Sequence, residues 1–514
     1  MALSPSTYTL LCGCFVALGS ILFGYDLGVI AGVLTAPDFK LATGNPDDNY
    51  VGFIVSALTL GAFCGCIPAS MLADRFSRRM AIFVASLIFL MGGSIQTAAK
   101  SGAMMLAGRF FAGFAIGMLA LLAPLYQSEI ARAEFRGRLT TLQQFFLGLG
   151  AFIASFITFG TSLNQNGTAF QWRFPLGLQM APCVPLAALI WFFPESPRWL
   201  IINGRDEEGR LALAKLHARG DINDAYVVAE YNEIKADVLK EKSQQPGWKV
   251  LVKDSQAVRK VMIGIIIQFS VQMTGVSAIQ YYSPQILGAF GFTATKTLLF
   301  QALSQILALI GELCCILFID RLGRRWPLII CNMATGATFV VGAALLARYP
   351  VAADGSVNMG AAGAFIAMTW LFQFFFSFAI GPLSWAIPVE IFNTNIRAKG
   401  TAITSMACWI ANFMIGQVTP IALTNVGWRY YMLFAICGFT NALTFYLILP
   451  ETKGRTLEEM DDYFAATHWI VPLSKTQPRS VSAVRAEIGE GIYDDSASSE
   501  KKNSNLNLQT QTLS

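Results

Sequence analysis

The chain has 514 residues, of which 54% are hydrophobic and only 13% are charged, about half of the roughly 25% that is typical of soluble domains. The net charge of +5 is small and scattered along the chain, which excludes a nucleic-acid-binding protein, and so little charge cannot coat the surface of a soluble protein of this length. The composition therefore predicts an integral membrane protein.

Twelve stretches are long and apolar enough to cross a bilayer as helices, each of which needs about 20 apolar residues. The first, at 8–32, lacks a basic n-region and a cleavage site, so we interpret it as a retained span and not as a signal peptide. No stretch shows the alternating pattern of a β-barrel. The predicted spans are 8–32, 50–73, 80–98, 102–126, 139–161, 174–194, 259–290, 297–319, 326–348, 360–389, 399–423 and 428–449.

A charged stretch at 195–258 separates these spans into six and six. We therefore predict an all-α membrane protein with twelve transmembrane helices in two six-helix bundles, at 1–194 and 259–449, joined by a cytosolic helical linker. The remaining residues, 450–514, form a cytosolic and largely disordered tail, because its part at 464–514 is rich in Ser, Asn, Gln, Lys and Glu, which is typical of disorder. Regulatory phosphorylation of this tail and a merely solvated tail are both open interpretations.

The ten cysteines lie in apolar runs, and the two histidines, His217 and His468, lie in polar segments. This pattern is typical of thiols that pack inside a membrane, and it predicts neither disulfides nor a metal site. No span carries a nucleophile together with a base, so we expect neither an enzyme nor a cofactor.

Positive charge is divided unequally between the two sides of the membrane. Of the 37 lysines and arginines, six lie on the side opposite the termini, and one, Arg109, lies inside the fourth span. The positive-inside rule predicts that both termini and the linker are cytosolic, in a multi-pass protein of the plasma membrane. The sequon at Asn166 then faces outward as a candidate glycosylation site, with its use left open.

Three charged motifs occur once in each half of the chain, 246 to 261 residues apart. Because each half has six spans, an even number, the two halves have the same orientation in the membrane. This is the parallel repeat of a two-bundle secondary transporter, whose substrate site lies between the bundles. We interpret the charges as ion pairs of a cytosolic gate at the seam between the halves, and topological anchoring is the alternative. The gate residues are Asp74, Arg78, Glu129, Glu195, Arg198, Asp320, Arg324, Glu390, Arg397 and Glu451.

Several longer strings carry a family resemblance. "PESPRWL" at 194–200 and "PETKGRTLEEMD" at 450–461 are the specific ones, and they are accompanied by "FGYD" at 23–26 and "QMTGVSAIQYYSP" at 272–284. With these strings the chain resembles the sugar porters of the major facilitator superfamily. The resemblance implies alternating access by rocking of the two bundles, with a monosaccharide or a related solute as the substrate.

The resemblance also implies a substrate site. Amide side chains both donate and accept hydrogen bonds, as sugar hydroxyls do, and an indole covers the apolar face of a sugar. For each polar residue an interhelical hydrogen bond is the alternative role. The substrate-binding residues implied are Gln144, Gln272, Ser277, Tyr281, Trp385, Trp409 and Asn412, with Tyr281 and Tyr282 as an extracellular gating pair.

The sequence departs from the family pattern at four positions where an amide is usual: Val271, Ser277, Ala308 and Cys408. An ordinary hexose pocket would lose several hydrogen bonds by these changes. We therefore predict that glucose is not the preferred solute, which leaves a pentose, a deoxy sugar, a uronic acid or a larger solute open.

Two acidic residues lie inside predicted spans. Asp26 is the one acid of the first span, and the resemblance pairs it with Arg136 for proton coupling, although some passive members also carry an acid there. Glu312 lies within span eight, where a carboxylate is unfavourable unless it is paired or protonated. A role in the pocket or in proton handling and a bond to a neighbouring helix are both open for Glu312.

The predicted function is secondary active transport of a sugar by a monomer, with protons as the coupled ion and no nucleic-acid partner. Two alternatives remain: a passive sugar uniporter of the same fold, and a non-transporting nutrient sensor that signals through its tail.

Overall fold

The computed structural model of the chain describes residues 4–131, 136–244, 250–288, 290–350, 358–392, 396–453 and 459–473. Within this part of the chain the regular structure is helical, and twelve helices are long and apolar enough to cross a membrane, which confirms the predicted spans. The predicted disordered tail lies outside the described residues from 474 onward. The spanning helices are α1 (Pro5–Thr35), α2 (Asp48–Arg75), α3 (Arg78–Thr97), α4 (Gly102–Ile130), α5 (Arg136–Asn164), α6 (Phe170–Phe192), α7 (Ser255–Gly288), α8 (Ala294–Leu322), α9 (Arg325–Arg348), α10 (Met359–Ile391), α11 (Arg397–Val426) and α12 (Arg429–Ile448).

Helix α7 is broken within the membrane, between Ser255–Gln272 and Val276–Gly288. Gly275 in the break has φ of +86°, a conformation that favours glycine, and a Cβ there would meet the ring of Phe434. The break places the side chain of Gln272 at the end of one helical segment, next to the first turn of the following one. Helix α10 is also irregular, with a π-helical turn at Phe376–Ile380.

Glycines allow α1 and α5 to touch backbone to backbone. A Cβ at Gly24 or at Gly28 would overlap the main chain of Leu147 or Ala151, respectively. Small residues of this kind let membrane helices approach closely. Asp26 lies between the two glycines, so it is level with this part of α5.

The two halves of the molecule meet mainly along two helix pairs, α2 with α11 and α5 with α8, and α1 also packs against the second segment of α7. In the first pair, Thr424 Oγ1 donates a hydrogen bond to Asp48 Oδ2 at 2.7 Å. In the second, the hydroxyls of Ser162 and Thr295 are 3.3 Å apart. Both contacts lie at the face of the molecule opposite the chain termini, so the halves are joined there.

Short helices connect α6 to α7 where the charged composition predicted a soluble helical segment. They pack against the first half on the face that carries the chain termini, which we call the termini face. Thr9 Oγ1 donates to the carbonyl oxygen of Leu216 at 3.0 Å, and Trp199 Nε1 donates to that of Asp74 at 3.1 Å. The connecting helices are Pro197–Ile202, Asp206–His217, Ala225–Gln244 and Val250–Lys253.

The residues after α12 pack in a comparable way against the second half. They include the helix Glu459–Ala466 and a 3₁₀ turn at Val471–Leu473. Arg259 at the start of α7 donates to the carbonyl oxygens of Phe464 at 2.8 Å and Thr467 at 2.6 Å. Each half therefore has its own set of short helices on the termini face.

Candidate functional site

The break in α7 builds a polar cluster around Gln272. Its Oε1 accepts a hydrogen bond from Ser277 Oγ at 2.6 Å, across the break, and its Nε2 donates to Cys408 Sγ of α11 at 3.2 Å. All three residues are buried. Two of the four positions where the chain departs from the family pattern therefore bind Gln272 itself. Ser277, which the resemblance placed among the substrate contacts, orients the amide of Gln272 in this structure.

Aromatic rings form the wall beside this cluster. Trp409 is fully buried, and its ring lies 6.3 Å from that of Trp385 on α10, centroid to centroid. Phe23 of α1 packs edge-on against Trp409 with centroids 5.0 Å apart. Since Phe23 belongs to the first half, the aromatic wall spans the interface between the halves. Trp385 is only half-buried, so its flat surface remains accessible for an apolar sugar face.

The two tyrosines of α7 bind α11 directly. Tyr281 donates to Asn412 Oδ1 at 3.1 Å, and Tyr282 donates to the carbonyl oxygen of Gly416 at 2.7 Å. Cys408, Asn412 and Gly416 are spaced four residues apart, so they share one face of α11. Along this face the second segment of α7 is held against α11, and both tyrosine side chains are buried.

Gln144 reaches this region from the first half. It is half-buried on α5, and its Nε2 lies 3.5 Å from the point that a Cβ at Gly381 of α10 would occupy. Gly381 is one helical turn before Trp385, so the amide of Gln144 approaches the aromatic wall from the opposite half. The structure thus gathers the predicted substrate residues around α7, α10, α11 and α5, and their contact with a solute remains a prediction.

A separate pocket lies within the second half, among α7, α8, α9, α10 and α12. Its lining includes Phe300, Gln301, Phe339 and Trp370, and it contains none of the predicted substrate residues. We assign the candidate site to the cluster around Gln272 and the neighbouring indole rings, because of its chemistry and its position between the halves. The separate pocket is therefore not the candidate site.

Asp26 has a different partner from the one predicted. Its two carboxylate oxygens accept from Arg109 Nη1 and Nη2 of α4, both at 3.4 Å, and Nη2 also donates to the carbonyl oxygen of Val55 at 3.2 Å. Asp26 and Arg109 are both 0% exposed. A buried ion pair inside the first half therefore takes the place of the expected pair with Arg136.

The helix geometry explains this correction. Asp26 is level with Leu147 on α5, and Arg136 is eleven residues earlier on that helix, about 17 Å away at 1.5 Å per residue. That distance is beyond the reach of an arginine side chain; the side chain of Arg136 itself lies outside the described residues. One sequence signal pointed to the correct residue, since Arg109 is the one Lys or Arg that lies more than two residues from the end of a predicted span.

Glu312 lies on α8 at its contact with α5. A Cβ at Gly148 of α5 would overlap the carboxyl group of Glu312. The residue is 4% exposed, and among the described residues its Oε2 has no hydrogen-bond partner. The bond to a neighbouring helix, which the sequence left open, is therefore absent from the described part of the structure.

The charged motifs of the first half form a compact cluster on the termini face. Arg78 makes a bidentate pair with Glu129 through Nε and Nη2, at 2.9 and 2.8 Å, and its Nη1 lies 3.7 Å from Asp74. Glu195 pairs with Arg79 at 3.1 Å. The other predicted arginine, Arg198, lies in the neighbouring helix Pro197–Ile202.

The second half repeats the main pair. Arg324 Nη2 lies 3.0 Å from Glu390 Oε1, and this pair corresponds to Arg78–Glu129 of the first half. Glu451 accepts hydrogen bonds from the backbone amide groups of Arg324 and Arg325. Arg397 Nε donates to the carbonyl oxygen of Phe392 at 3.4 Å. The side chain of Asp320 lies outside the described residues.

These pairs do not bridge the halves as the gate interpretation expected. Arg78–Glu129, Arg79–Glu195 and Arg324–Glu390 each join two residues of the same half. They tie helix ends together within one bundle, and a gate role for the charged residues stays a prediction.

Asn166 is exposed in the turn between α5 and α6, on the face opposite the termini. Its position is accessible to a modifying enzyme, and glycosylation remains a prediction.

Comparisons with known proteins agree with this architecture. Residues 12–464 match the family model described as "Sugar (and other) transporter". The chain is 33% identical to "MFS glucose transporter mfs1" of Aspergillus flavus, over 88% of this chain and 89% of that one, and 31% identical to the "High-affinity glucose transporter" of Kluyveromyces lactis, over 89% and 85%. Among solved structures it is similar to the proton:xylose symporter XylE, with a TM-score of 0.77 at 24% identity over 89% of this chain and 99% of that one. This likeness confirms the predicted major facilitator fold.

Proposed function

The chain belongs to the sugar transporter family of the major facilitator superfamily, and from that premise we propose that it is a sugar:proton symporter working by alternating access. The family consists of transporters and not of enzymes. The observation that carries the symport proposal is the fully buried pair of Asp26 and Arg109 beside a neutral polar cluster in the other half.

The pair supports coupling because protonation of Asp26 changes the net charge buried inside the first half. With Asp26 ionised, Arg109 is neutralised within a low-dielectric interior; with Asp26 protonated, the guanidinium loses its counterion and must reorganise. The second segment of α7, which carries Tyr281, packs against the part of α1 that carries Asp26. Protonation in the first half would therefore be felt by the segment of α7 that closes on α11. Each proton that moves inward contributes about 2.3 kcal/mol per 100 mV of membrane potential.

The substrate we propose is a monosaccharide or a related polyhydroxylated solute. Gln272 and Asn412 offer amides, Gln144 adds a third from the other half, and Trp385 offers a flat apolar surface. The named relatives are glucose transporters. Ser277 and Cys408, however, are bonded to Gln272 and do not extend the set of amides, which supports a preferred solute other than glucose.

We further propose that the termini face is cytosolic and that the protein acts as a monomer in the plasma membrane. The support is the positive-inside rule, since Asp48, Asn166 and Thr424 lie at the face with few basic residues. Reaction of single exposed cysteines introduced at Asn166 and at Lys215 with a membrane-impermeant thiol reagent on intact cells tests this orientation; labelling at Lys215 and not at Asn166 would reverse it.

The experiment that tests the function is uptake of a radiolabelled panel of hexoses, pentoses and uronic acids into proteoliposomes, with and without an imposed pH gradient. We expect one sugar to accumulate above equilibrium when the outside is acidic, and a protonophore to abolish that accumulation. If uptake is indifferent to protonophore and to external pH between about 5 and 8, the protein is a passive uniporter and the pair is a structural brace. Absence of saturable uptake for every sugar would contradict sugar transport itself.

A further inference from the structure

Glu312 is the buried acidic residue that the proposed coupling pair does not use. It lies on α8 where this helix contacts α5, along the pair of helices that joins the two halves, which we call the α5–α8 seam. Gly148 leaves the space for its carboxyl group, and Gln144, one turn away on the same face of α5, points toward the candidate substrate site.

The surroundings of Glu312 contain no partner for a negative charge. Ionisable side chains on the helices packed against α8, and on α8 itself, are Tyr8, Cys12, Cys14, Tyr25, Asp26, Arg259, Lys260, Tyr281, Tyr282, Lys296, Cys314, Cys315, Arg321 and Glu390, while the side chains of Arg136, Arg138 and Asp320 lie outside the described residues. None of those described forms a hydrogen bond or an ion pair with Glu312.

An ionised carboxylate is strongly disfavoured where it is almost fully buried and has neither a hydrogen-bond donor nor a cation beside it. The closed seam is therefore compatible with the neutral acid and not with the carboxylate. When the halves part at this point and water enters, the same side chain behaves as an ordinary glutamic acid and is ionised at neutral pH.

We propose that Glu312 is a proton-binding residue of the α5–α8 seam, and that the seam closes only when this carboxyl carries a proton. The proton comes from water in the parted seam and returns to water when the seam parts again. This inference goes beyond the proposed function, since it holds for a symporter and for a uniporter alike. It concerns the closing step, whereas the proposed coupling concerns Asp26 and Arg109.

The test is the pH profile of sugar exchange in proteoliposomes with equal pH inside and outside, so that no proton gradient contributes. In the wild-type protein the closing step needs a protonated Glu312, so exchange should fall by up to tenfold for each pH unit above about 5. Glu312→Gln keeps the shape and removes the charge. We expect it to exchange sugar at the same rate across this range, and above the wild-type rate at pH 8.

Two further pairs of variants separate this proposal from its rivals. The pH dependence should also remain in Asp26→Asn and disappear in Asp26→Asn/Glu312→Gln, because the two acids act at different steps. Gly148→Ala should slow exchange at every pH by displacing the carboxyl group, and Gly148→Ala/Glu312→Ala should restore it because the space is regained.

The outcomes decide between three roles. A pH profile that is unchanged by Glu312→Gln overturns the proposal and leaves Glu312 as a structural neutral acid. A rise in the half-saturation concentration with an unchanged profile also overturns it, and makes Glu312 a substrate contact. A protonophore-insensitive wild type would contradict the symport proposal and leave this one standing.

Discussion

The interiors of the two halves differ in the kind of polar group that they bury. In the first half two of the fully buried residues are charged, since Asp26 and Arg109 are both 0% exposed and pair with each other. In the second half the buried cluster around Gln272 is neutral and is lined by indole rings. A charged pair can bind and release a proton, whereas neutral groups that donate and accept hydrogen bonds can bind a polyhydroxylated solute. The difference supports a division of work in which the proposed coupling pair lies in one bundle and the proposed sugar-binding cluster in the other, while Glu312 of the second half acts on the closing step.

The same contrast exists on the termini face. The Arg78–Glu129 side chains are 6% and 7% exposed and are joined through two oxygens, whereas those of Arg324 and Glu390 are 13% and 26% exposed and share one oxygen. The second oxygen of Glu390 accepts from Thr452 Oγ1 at 2.9 Å. The first half therefore depends more on charge here as well.

The largest effect that tests this comparison is expected at the charged pair. Asp26→Asn should abolish accumulation of sugar against its gradient and leave exchange across the membrane, because the proton-binding acid is gone and the sugar site is intact. Accumulation and counterflow in proteoliposomes measure the two activities. Since the variant leaves Arg109 buried without a counterion, Asp26→Asn/Arg109→Gln serves as a second, neutral form. Normal accumulation of sugar in either variant would contradict the assignment of proton coupling to this pair in the first half.

The next effect concerns stability. Glu129→Gln leaves a buried guanidinium without its main partner, a loss of about 3 kcal/mol or more, while Glu390→Gln in the more exposed pair should cost about 1 kcal/mol. Thermal unfolding of the purified protein in detergent compares them. Glu208→Gln is the matched control, because Glu208 pairs with Arg205 on the exposed surface and its loss should leave the unfolding midpoint unchanged. Equal losses from Glu129→Gln and Glu390→Gln would contradict the comparison.

A smaller effect is expected at the neutral cluster. Gln272→Ala should raise the half-saturation concentration for the transported sugar at least tenfold, because a lost hydrogen bond that leaves an unpaired partner costs roughly 1–3 kcal/mol. Gln96→Ala is the control in the first half, where Gln96 is buried and donates to the carbonyl oxygen of Gly108. Unchanged kinetics in Gln272→Ala at normal surface expression would remove Gln272 from the site.

The smallest effect is a shift in selectivity. Placing Asn at two of the positions where the family pattern has it, in Ser277→Asn/Ala308→Asn, should improve glucose uptake a few-fold relative to the native substrate. Competition between labelled sugars measures the ratio. Ser277→Ala alone is the control, since it removes the bond to Gln272 and adds no amide. If the wild-type protein already prefers glucose to every pentose and uronic acid, the argument from the four departures is wrong.

The fold was predictable because its signals are local in the chain. Apolar runs of about 20 residues define the spans, and the repeat of "DRFSRR" as "DRLGRR" defines the two halves. Arg78 pairs with Glu129 and Arg324 with Glu390, which joins motifs that end neighbouring spans of one half. The gate role of these residues remains a prediction.

The interior contacts were not predictable in the same way. The partner of Asp26 depends on the rotation of α1 about its axis, which Gly24 and Gly28 set by their contact with α5. No spacing along the sequence records that rotation, so the family pattern suggested Arg136 where the structure has Arg109. Similarly, the bond from Ser277 to Gln272 exists because α7 breaks at Gly275. Sequence reasoning identified both residues and could not foresee that they bind each other.

The short helices on the termini face have a consequence for how the polypeptide can be divided. Leu216 and Trp199 lie against the first half, Phe464 and Thr467 lie against the second, and the chain passes from one half to the other between Gln244 and Val250. A cut there separates two fragments that each keep their own packing helices. The covalent link then supplies mainly a high effective concentration of one fragment near the other. Two genes, one for each fragment, should therefore suffice to assemble a working carrier.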